Sequence, residues 1–418
     1  MTITVLIPTR NRAHLLEKTL VSLTLQRTRD FRVIVVDHAS TDETGKICER
    51  YQTCLPLSRY WLAYEKDAPA HPRHFGMQQV QTPLVVFVDC GIVVPTFFIG
   101  AHLAFHQQHE RHIGAGLFHG RSAWNEHLSA LVERMTIDQA QELLLAHPEL
   151  ADVRQGDALE TSHVPWMYGW TANLSLRTRD YWDVDGFNLN LAYAFEDIEL
   201  CYRLFRYGVR FAWVQEGWGI HLPHRRLPAR ILRKMEYLGR EQVYRELRTL
   251  GLEVLFYSDL SLQAGDATFH YLSEVGRDCA QLPSTAPLVA SHQFEHPSLL
   301  IGGTLQDAPL YDYLTLSNEE ITSTASIWSC CGLHIPLGDQ ELRSVIISDI
   351  WKWLNCAFNR REISLLECMI AEIKRTADYA YFVDSPARML PRQDHTPVAE
   401  LSRLCQLYDL PFQIIGQE

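Results

Sequence analysis

The 418-residue sequence contains no Cys-x-x-Cys pair, and its ten cysteines are scattered from Cys48 to Cys405 without the spacing of a disulfide scaffold. That absence excludes a cysteine-rich zinc module and a disulfide-stapled secreted domain, and makes a reducing, cytoplasmic setting the expectation. No apolar run approaches the roughly 20 residues that a bilayer-spanning helix needs, so no transmembrane segment is expected. A peripheral membrane role stays open. The strand-like run directly after Met1 leaves no room for a signal peptide. Positive charge is also scarce: 38 Lys and Arg stand against 50 Asp and Glu, a formal net charge of -12. A general nucleic-acid surface is thereby excluded, because phosphate backbones call for a basic face. Any phosphate here has to be met locally, by a metal or a few arginines.

What is present is a folded, globular composition, 47% hydrophobic with ordinary Gly and Pro counts, in a chain long enough for two domains. Thr2 to Ile7 and Arg32 to Asp37 are apolar and β-branched, as strands covered on both faces should be. Between them Ala13 to Leu25 carries Leu15, Leu16, Leu20 and Leu23 at helical spacing. Asp42 to Arg50 reads as a second helix, Ser58 to Glu65 as a third strand, Arg73 to Val80 as a third helix and Leu84 to Asp89 as a fourth strand. This alternation predicts a doubly wound, Rossmann-like α/β sheet, whose ligands bind at the carboxyl ends of the strands. Pro8-Thr9-Arg10-Asn11, Asp37-His38-Ala39-Ser40 and Asp89-Cys90-Gly91 all fall there. From Arg121 to Thr161 the pattern is helical and irregular, with Thr136-Ile137-Asp138 opening a helix that ends near Leu145, and reads as an insertion on the acceptor side. Leu227 to Leu250 is a long charged amphipathic helix. The expected domains are thus 1–226 and 251–418, joined by a helix over 227–250.

Several ordered motifs lie in the first half: VLIPTRNR from Val5, VVDHASTDET from Val35, VFVDCG from Val86, Gly186-Phe187-Asn188, FEDIELCYRLFRYG from Phe195, and the late histidines His221 and His224. Together they resemble the inverting glycosyltransferases of family 2, which have the GT-A fold, over Ile3 to Arg226. The resemblance implies a UDP-sugar donor and gives roles to residues. Asp197 would be the general base that takes the acceptor proton, with Glu196 positioning base or acceptor. Asp37 would accept from the uracil imide or a ribose hydroxyl; its structural alternative is an Asx turn. Pro8, Thr9 and Arg10 would line the same pocket, with Arg73 near the nucleotide or, equally, a solvated helix residue. Trp170, Asn173 and Trp166 would floor the sugar pocket, Trp166 having core packing as its plain alternative. Glu196 and Asp197 also suit the first turn of any helix, where acids favour the macrodipole.

For the metal the resemblance offers Asp89 and His221, with His224 in reserve, and Arg225 and Arg226 to grip the diphosphate. The family's Asp-x-Asp is incomplete here, because Gly91 stands where the second acid would coordinate Mg or Mn. The imidazole of His221 suits Mn better than Mg, while Cys90 reads as a small buried residue. The second half, with Ser298 to Thr304 running into Gly302-Gly303, Ser344 to Asp349 ending in an acid, a Trp- and Leu-rich helix, and Ala380 to Asp384 as a last strand, resembles a shortened class I methyltransferase. It lacks the fuller glycine spacing of a methionine-adenosine site, and reads as a Rossmann-like domain that has lost methyl transfer and serves acceptor binding or homo-oligomerisation. The expected activity is sugar transfer to a peptide, natural-product or glycan acceptor, with no nucleic-acid partner. A catalytically silent nucleotide-sugar-binding scaffold and a bifunctional glycosyl- and methyltransferase are the alternatives.

Overall fold

A computed structural model describes residues 1–63, 69–120, 139, 142, 146, 151–191, 194–224, 227–257, 261–280, 284–315, 324, 326–357, 363–385 and 396–416. The chain divides into two compact units, Met1–Gly239 and Arg240–Glu418. The division falls inside the α-helix Ala229–Leu247, within the segment expected to link two domains.

In the first unit the apolar runs form parallel strands as the patterning requires. β1 (Ile3–Thr9), β2 (Phe31–His38), β3 (Leu57–Leu62) and β4 (Leu84–Val88) pair in the order β3-β2-β1-β4, all parallel. β1 and β4 are buried almost throughout, which explains their continuous apolar character. Helix α1 (Ala13–Thr24) buries Leu15, Leu16, Leu20 and Leu23 in the core cluster that carries β1, β2 and β4. The second helix, α2, is Thr44–Tyr51, not a helix from Asp42. Asp42 stays ahead of it because its carboxylate accepts from the Ala13 N–H (2.9 Å) and from the Thr44 hydroxyl (2.6 Å), tying two loops together. Helix α3 is Ala70–Met77, one turn earlier than expected, since Pro72 fits within a first helical turn. Glu65, the expected end of β3, lies outside the described residues.

Beyond β4 the sheet becomes mixed. β6 (His112–Ala115), β8 (Asn173–Arg177) and β9 (Arg210–Trp213) complete a seven-stranded order β3-β2-β1-β4-β8-β6-β9. Here β8 runs antiparallel to β4 and β6, and β9 parallel to β6. A small second sheet, β5 (Ile92–Val93), β10 (Gly219–His221) and β7 (Phe118–His119), carries His221 opposite Ile92. Most of the expected insertion, including Thr136-Ile137-Asp138, lies outside the described residues.

Among its described residues the second unit holds six strands: β11 (Ser298–Ile301), β12 (Tyr313–Thr315), β13 (Ile327–Trp328), β14 (Leu342–Ile347), β15 (Ala377–Val383) and β16 (Phe412–Ile415). They pair in parallel in the order β13-β12-β11-β14-β15-β16, so the chain winds outward both ways from β11. This is a doubly wound sheet with its switch point between β11 and β14. Ala380 to Asp384 is therefore not the last strand; β16 follows it after the helix Val398–Leu407.

Candidate active site

The register of the first sheet sets Thr9 beside Asp37 at the carboxyl edge, and Asp89 follows β4 at the same edge. The Asp89 N–H donates to the Ala172 carbonyl (3.1 Å) and its own carbonyl accepts from the Ile92 N–H (3.0 Å), so both strand neighbours fix the turn that carries the acid. Arg73 of α3 reaches this turn. Its guanidinium donates to Asp89 Oδ1 (2.6 Å), to Glu196 Oε1 (3.0 Å) and to the Pro69 carbonyl (3.1 Å). Arg73 is thus neither a solvated helix residue nor open to a nucleotide: its side chain is 9% exposed and clamped between two carboxylates. Burial opposes its charge, but Asp89, Glu196 and Asp197 outweigh burial and raise its pKa. Burial pushes the Asp89 carboxyl up, and Arg73 and then His221 pull it below its ordinary value.

Glu196 and Asp197 open the α-helix Glu196–Arg206, which is ridged with acids in its first turn. Phe195, just before it, has φ +83°, a strained conformation for an aromatic residue. The strain is held by the rest of the helix: Arg203 bonds Glu199 through Nε (2.6 Å) and reaches back to the carbonyls of Val184 and Gly186. Gly186 itself has φ +65°, and a Cβ there would lie 2.5 Å from the Tyr181 ring. The motif glycine and arginine therefore build the platform that aims the acids. Asp197 Oδ1 accepts from the Ile198 N–H (2.9 Å) and Oδ2 from the Thr171 N–H (3.4 Å). Burial, then the charge of Asp197, pushes the Glu196 carboxyl up to about 8 despite Arg73.

Gly91 has a structural reason to be glycine. Its φ is +101°, its N–H donates to Thr19 Oγ1 (3.0 Å), and its carbonyl accepts from Leu222 N–H (2.9 Å), beside His221. The residue that would carry the second acid instead stitches α1 to the strand bearing His221. His221 is buried, with its ring 6.3 Å from Phe118 and 5.1 Å from His224. Among the described residues no group of three or more His, Cys, Asp or Glu is placed to hold a metal ion. Of the donors expected there, Asp89 has one oxygen committed to Arg73, and His221 and His224, with rings 5.1 Å apart, do not complete such a group with it. Cys90 is buried, accepts from Thr9 Oγ1 (3.4 Å), and burial pushes its thiol up to about 12; it packs rather than ligates.

Other expected contacts are relocated. Asp37 is fully buried: Oδ1 takes the Ser40 N–H (2.9 Å) in an Asx turn, and Oδ2 takes both Nε (3.0 Å) and Nη2 (2.7 Å) of Arg59. The group that faces outward there is Arg59, a residue the motifs do not mark. Thr9 is likewise turned inward, onto Cys90, while Pro8 and Arg10 remain half-buried at the edge. Asn173 cannot floor a pocket, since it is fully buried and its amide donates to the Gly217 (2.7 Å) and Leu117 (3.1 Å) carbonyls. Trp166 is core. Trp170 is half-buried and one face is occupied from within: the Arg154 guanidinium lies 4.4 Å from its ring and 4.6 Å from Phe118. Arg154 is fully buried, paired with Asp152 (2.6 Å) and bonded to the Tyr168 and Gly116 carbonyls. A single arginine in the irregular 151–161 stretch carries no pattern that would have marked it. Arg225 and Arg226 lie outside the described residues.

Comparison with known proteins bears on the first part of the chain. The family model of Glycosyl transferase family 2 matches residues 4–159. Over these residues the chain is similar to that family, and they fall within the first unit, a mixed α/β domain. Over 236 residues the chain is 34% identical to validoxylamine A glucosyltransferase of Streptomyces hygroscopicus subsp. jinggangensis, covering 54% of this chain and 56% of that protein. It is 25% identical over 261 residues to the uncharacterized glycosyltransferase YfnE of Bacillus subtilis, 54% of this chain and 65% of that one. The chain thus spans between half and two thirds of the length of these curated relatives. Among solved structures, S. aureus TarS 1–349 is similar at a TM-score of 0.46 and 18% identity, covering 69% of this chain and 77% of that one.

Proposed function

We propose that the first unit transfers a sugar from a UDP-sugar to an acceptor hydroxyl with inversion at the anomeric carbon. The observation that carries this reading is the buried Arg73 clamp, which gathers Asp89, Glu196 and, one residue on, Asp197 at one sheet edge. A plain structural helix would need one acid in its first turn, not a second, inward-facing one paired to a buried arginine. Asp197 takes the acceptor proton as the acceptor oxygen bonds to the anomeric carbon. The bond to the diphosphate oxygen breaks on the opposite face, and UDP leaves with the electron pair. Arg73 holds Asp89 and Glu196 in register and so fixes the helix end that carries Asp197. Arg12, beyond the end of β1, is a cation placed to share the leaving-group charge, since its attraction already reaches Asp89. For Asp37 to meet the base or ribose, Arg59 would have to swing off its carboxylate. No step is routed through a metal.

A natural-product acceptor and a glucosyl donor are favoured over a peptide or glycan acceptor by the relatives called validoxylamine A glucosyltransferase. The second unit would serve acceptor binding or dimerisation. The test is calorimetric titration with UDP alongside transfer from UDP-glucose by wild type and Asp197→Asn. We expect UDP to bind both, and transfer to fall about 10³-fold in the variant, the scale of a lost general base. A chain that binds UDP but transfers nothing to any acceptor would be the silent scaffold, and one that binds no UDP would end the transferase reading.

A further inference from the structure

The α-helix Ala229–Leu247 starts in the first unit. It seats closely at Gly239, where a Cβ would lie 2.2 Å from the Ala194 carbonyl oxygen. The residues before Gly239 stand away from the core. Leu227 is 48% exposed, Ile231 47% and Tyr237 48%, while Leu232, Met235 and Leu238 are only half-buried. Ile231, Met235 and Leu238 recur at helical spacing on one face, and Leu227 extends the stripe ahead of the first turn. Arg230 and Lys234 flank one edge of this stripe and Arg233 lies on the opposite side, against one acid, Glu236, in a chain whose formal net charge is -12. A connector exposed to water would be polar all round. This one keeps a half-exposed apolar stripe with cations along one edge, opposite in sign to the chain's net charge.

We infer that this face docks on an anionic lipid surface, the Leu227–Ile231–Met235–Leu238 stripe entering the headgroup boundary and the flanking Arg230 and Lys234 meeting lipid phosphates. The charge distribution selects lipid: the acidic remainder of the chain is repelled by an anionic surface, so the helix is the part that can approach it, and only in one orientation. A membrane-bound sugar or acceptor pool would then be presented to a chain that has no helix among its described residues long and apolar enough to cross a bilayer.

The experiment is vesicle flotation of the full chain on phosphatidylcholine alone and on phosphatidylcholine with roughly one third phosphatidylglycerol. Partitioning is expected to be at least about tenfold stronger on the anionic vesicles and to weaken as salt rises toward the order of 0.5 M. Leu227→Asp/Ile231→Asp, at half-exposed positions, should abolish it. Arg230→Gln/Lys234→Gln should remove the preference for phosphatidylglycerol. UDP binding in both variants should match wild type, which separates this reading from the transferase one. Equal partitioning on both vesicles, or anionic binding untouched by both variants, overturns the proposal. So does a chain that ignores vesicles but sediments as a dimer which Leu227→Asp/Ile231→Asp splits, for then a second copy covers the stripe.

Discussion

At the carboxyl edge of the first sheet, Asp89, Glu196 and Asp197 gather around Arg73, whereas at the corresponding edge of the second, between β11 and β14, the chain fills the switch point with its own atoms. Gly302 has φ +71°, and its carbonyl accepts from Ser348 Oγ (2.8 Å); a Cβ on it would lie 2.6 Å from that oxygen. The short helix after β11 begins with Thr304, and Asp307 occupies its N-terminus, taking the Thr304 N–H and hydroxyl (both 2.8 Å) and the Ser284 hydroxyl (2.6 Å). After β14, Asp349 is held by Lys352 (2.7 Å) and the Ser385 N–H (3.0 Å). The places where a doubly wound sheet would bind a ligand's phosphate or ribose are filled by the protein's own groups. The parallel order β3-β2-β1-β4 recurs as β13-β12-β11-β14; what differs is that the first edge gathers three carboxylates around one arginine.

The largest effect expected from this contrast is in binding. UDP should give a measurable calorimetric isotherm with the full chain, and S-adenosylmethionine none up to the order of 1 mM. Saturable S-adenosylmethionine binding would break the comparison and restore the bifunctional reading. Next is the clamp itself. Arg73→Met leaves Asp89 and Glu196 without their shared cation in an enclosed site, a change expected to cost about 3 kcal/mol or more in urea unfolding. Arg73→Met combined with Glu196→Gln should recover part of that loss. If Arg73→Met were neutral, the three groups would not be an interdependent cluster.

Two buried sites, one in each unit, should also answer pH with opposite sign. In the first, Ser175 Oγ lies between His102 Nδ1 (2.8 Å) and His106 Nε2 (2.9 Å), and burial pushes both imidazoles down to about 3. The unfolded chain takes up protons below about 6.5 that the folded state refuses. Stability from this pair is therefore complete above that value and lost as pH falls, by up to about 1.4 kcal/mol per unit for each ring. In the second unit, burial pushes Glu253 up to about 7, although it accepts the Cys331 (2.8 Å) and His334 (2.9 Å) amides. Here the folded state keeps a proton that the unfolded chain releases above the ordinary carboxyl range, so this contribution is lost as pH rises through about 7. Hydrogen exchange of the full chain, corrected for intrinsic rates, should show the helix Phe98–Gln108 loosening from pH 7 to 5 and the Cys331 and His334 amides loosening from pH 6 to 8. Parallel behaviour in both places would remove the distinction.

How much of this was legible follows the same line. The four strands and three helices at the start of the chain have long apolar periods, and their placement from sequence holds to within a few residues. Strands such as Ile327–Trp328 and Tyr313–Thr315 are too short to show any period, and β16 follows a polar stretch, so the second sheet was only half visible. Motif spacing brought Asp89, Glu196, Asp197 and His221 to one region. It did not show that Arg73 is their common partner, or that Asp37 is closed off by Arg59, because a lone arginine carries no pattern until the fold supplies its carboxylate. For the same reason Arg154, wedged between Trp170 and Phe118, was not foreseen.

The smallest effect bears on the missing second acid. Gly91 could be replaced sterically, since a Cβ there would meet the Leu15 side chain at an ordinary 3.5 Å. Its φ of +101°, however, is a conformation that side chains rarely adopt, and both its N–H and carbonyl are engaged. Gly91→Asp should therefore cost about 1–2 kcal/mol of backbone strain in thermal unfolding, and Gly91→Ala nearly the same. If strain is the whole effect, the aspartate also creates no Mn site in the protein alone, because Asp89 still faces Arg73, and titration followed by Mn electron paramagnetic resonance should show free ion only. Should Gly91→Asp instead bind Mn tightly and unfold no earlier than wild type, the turn would be able to host a carboxylate. The first unit's edge would then be an acid short of a metal site, not a differently built one.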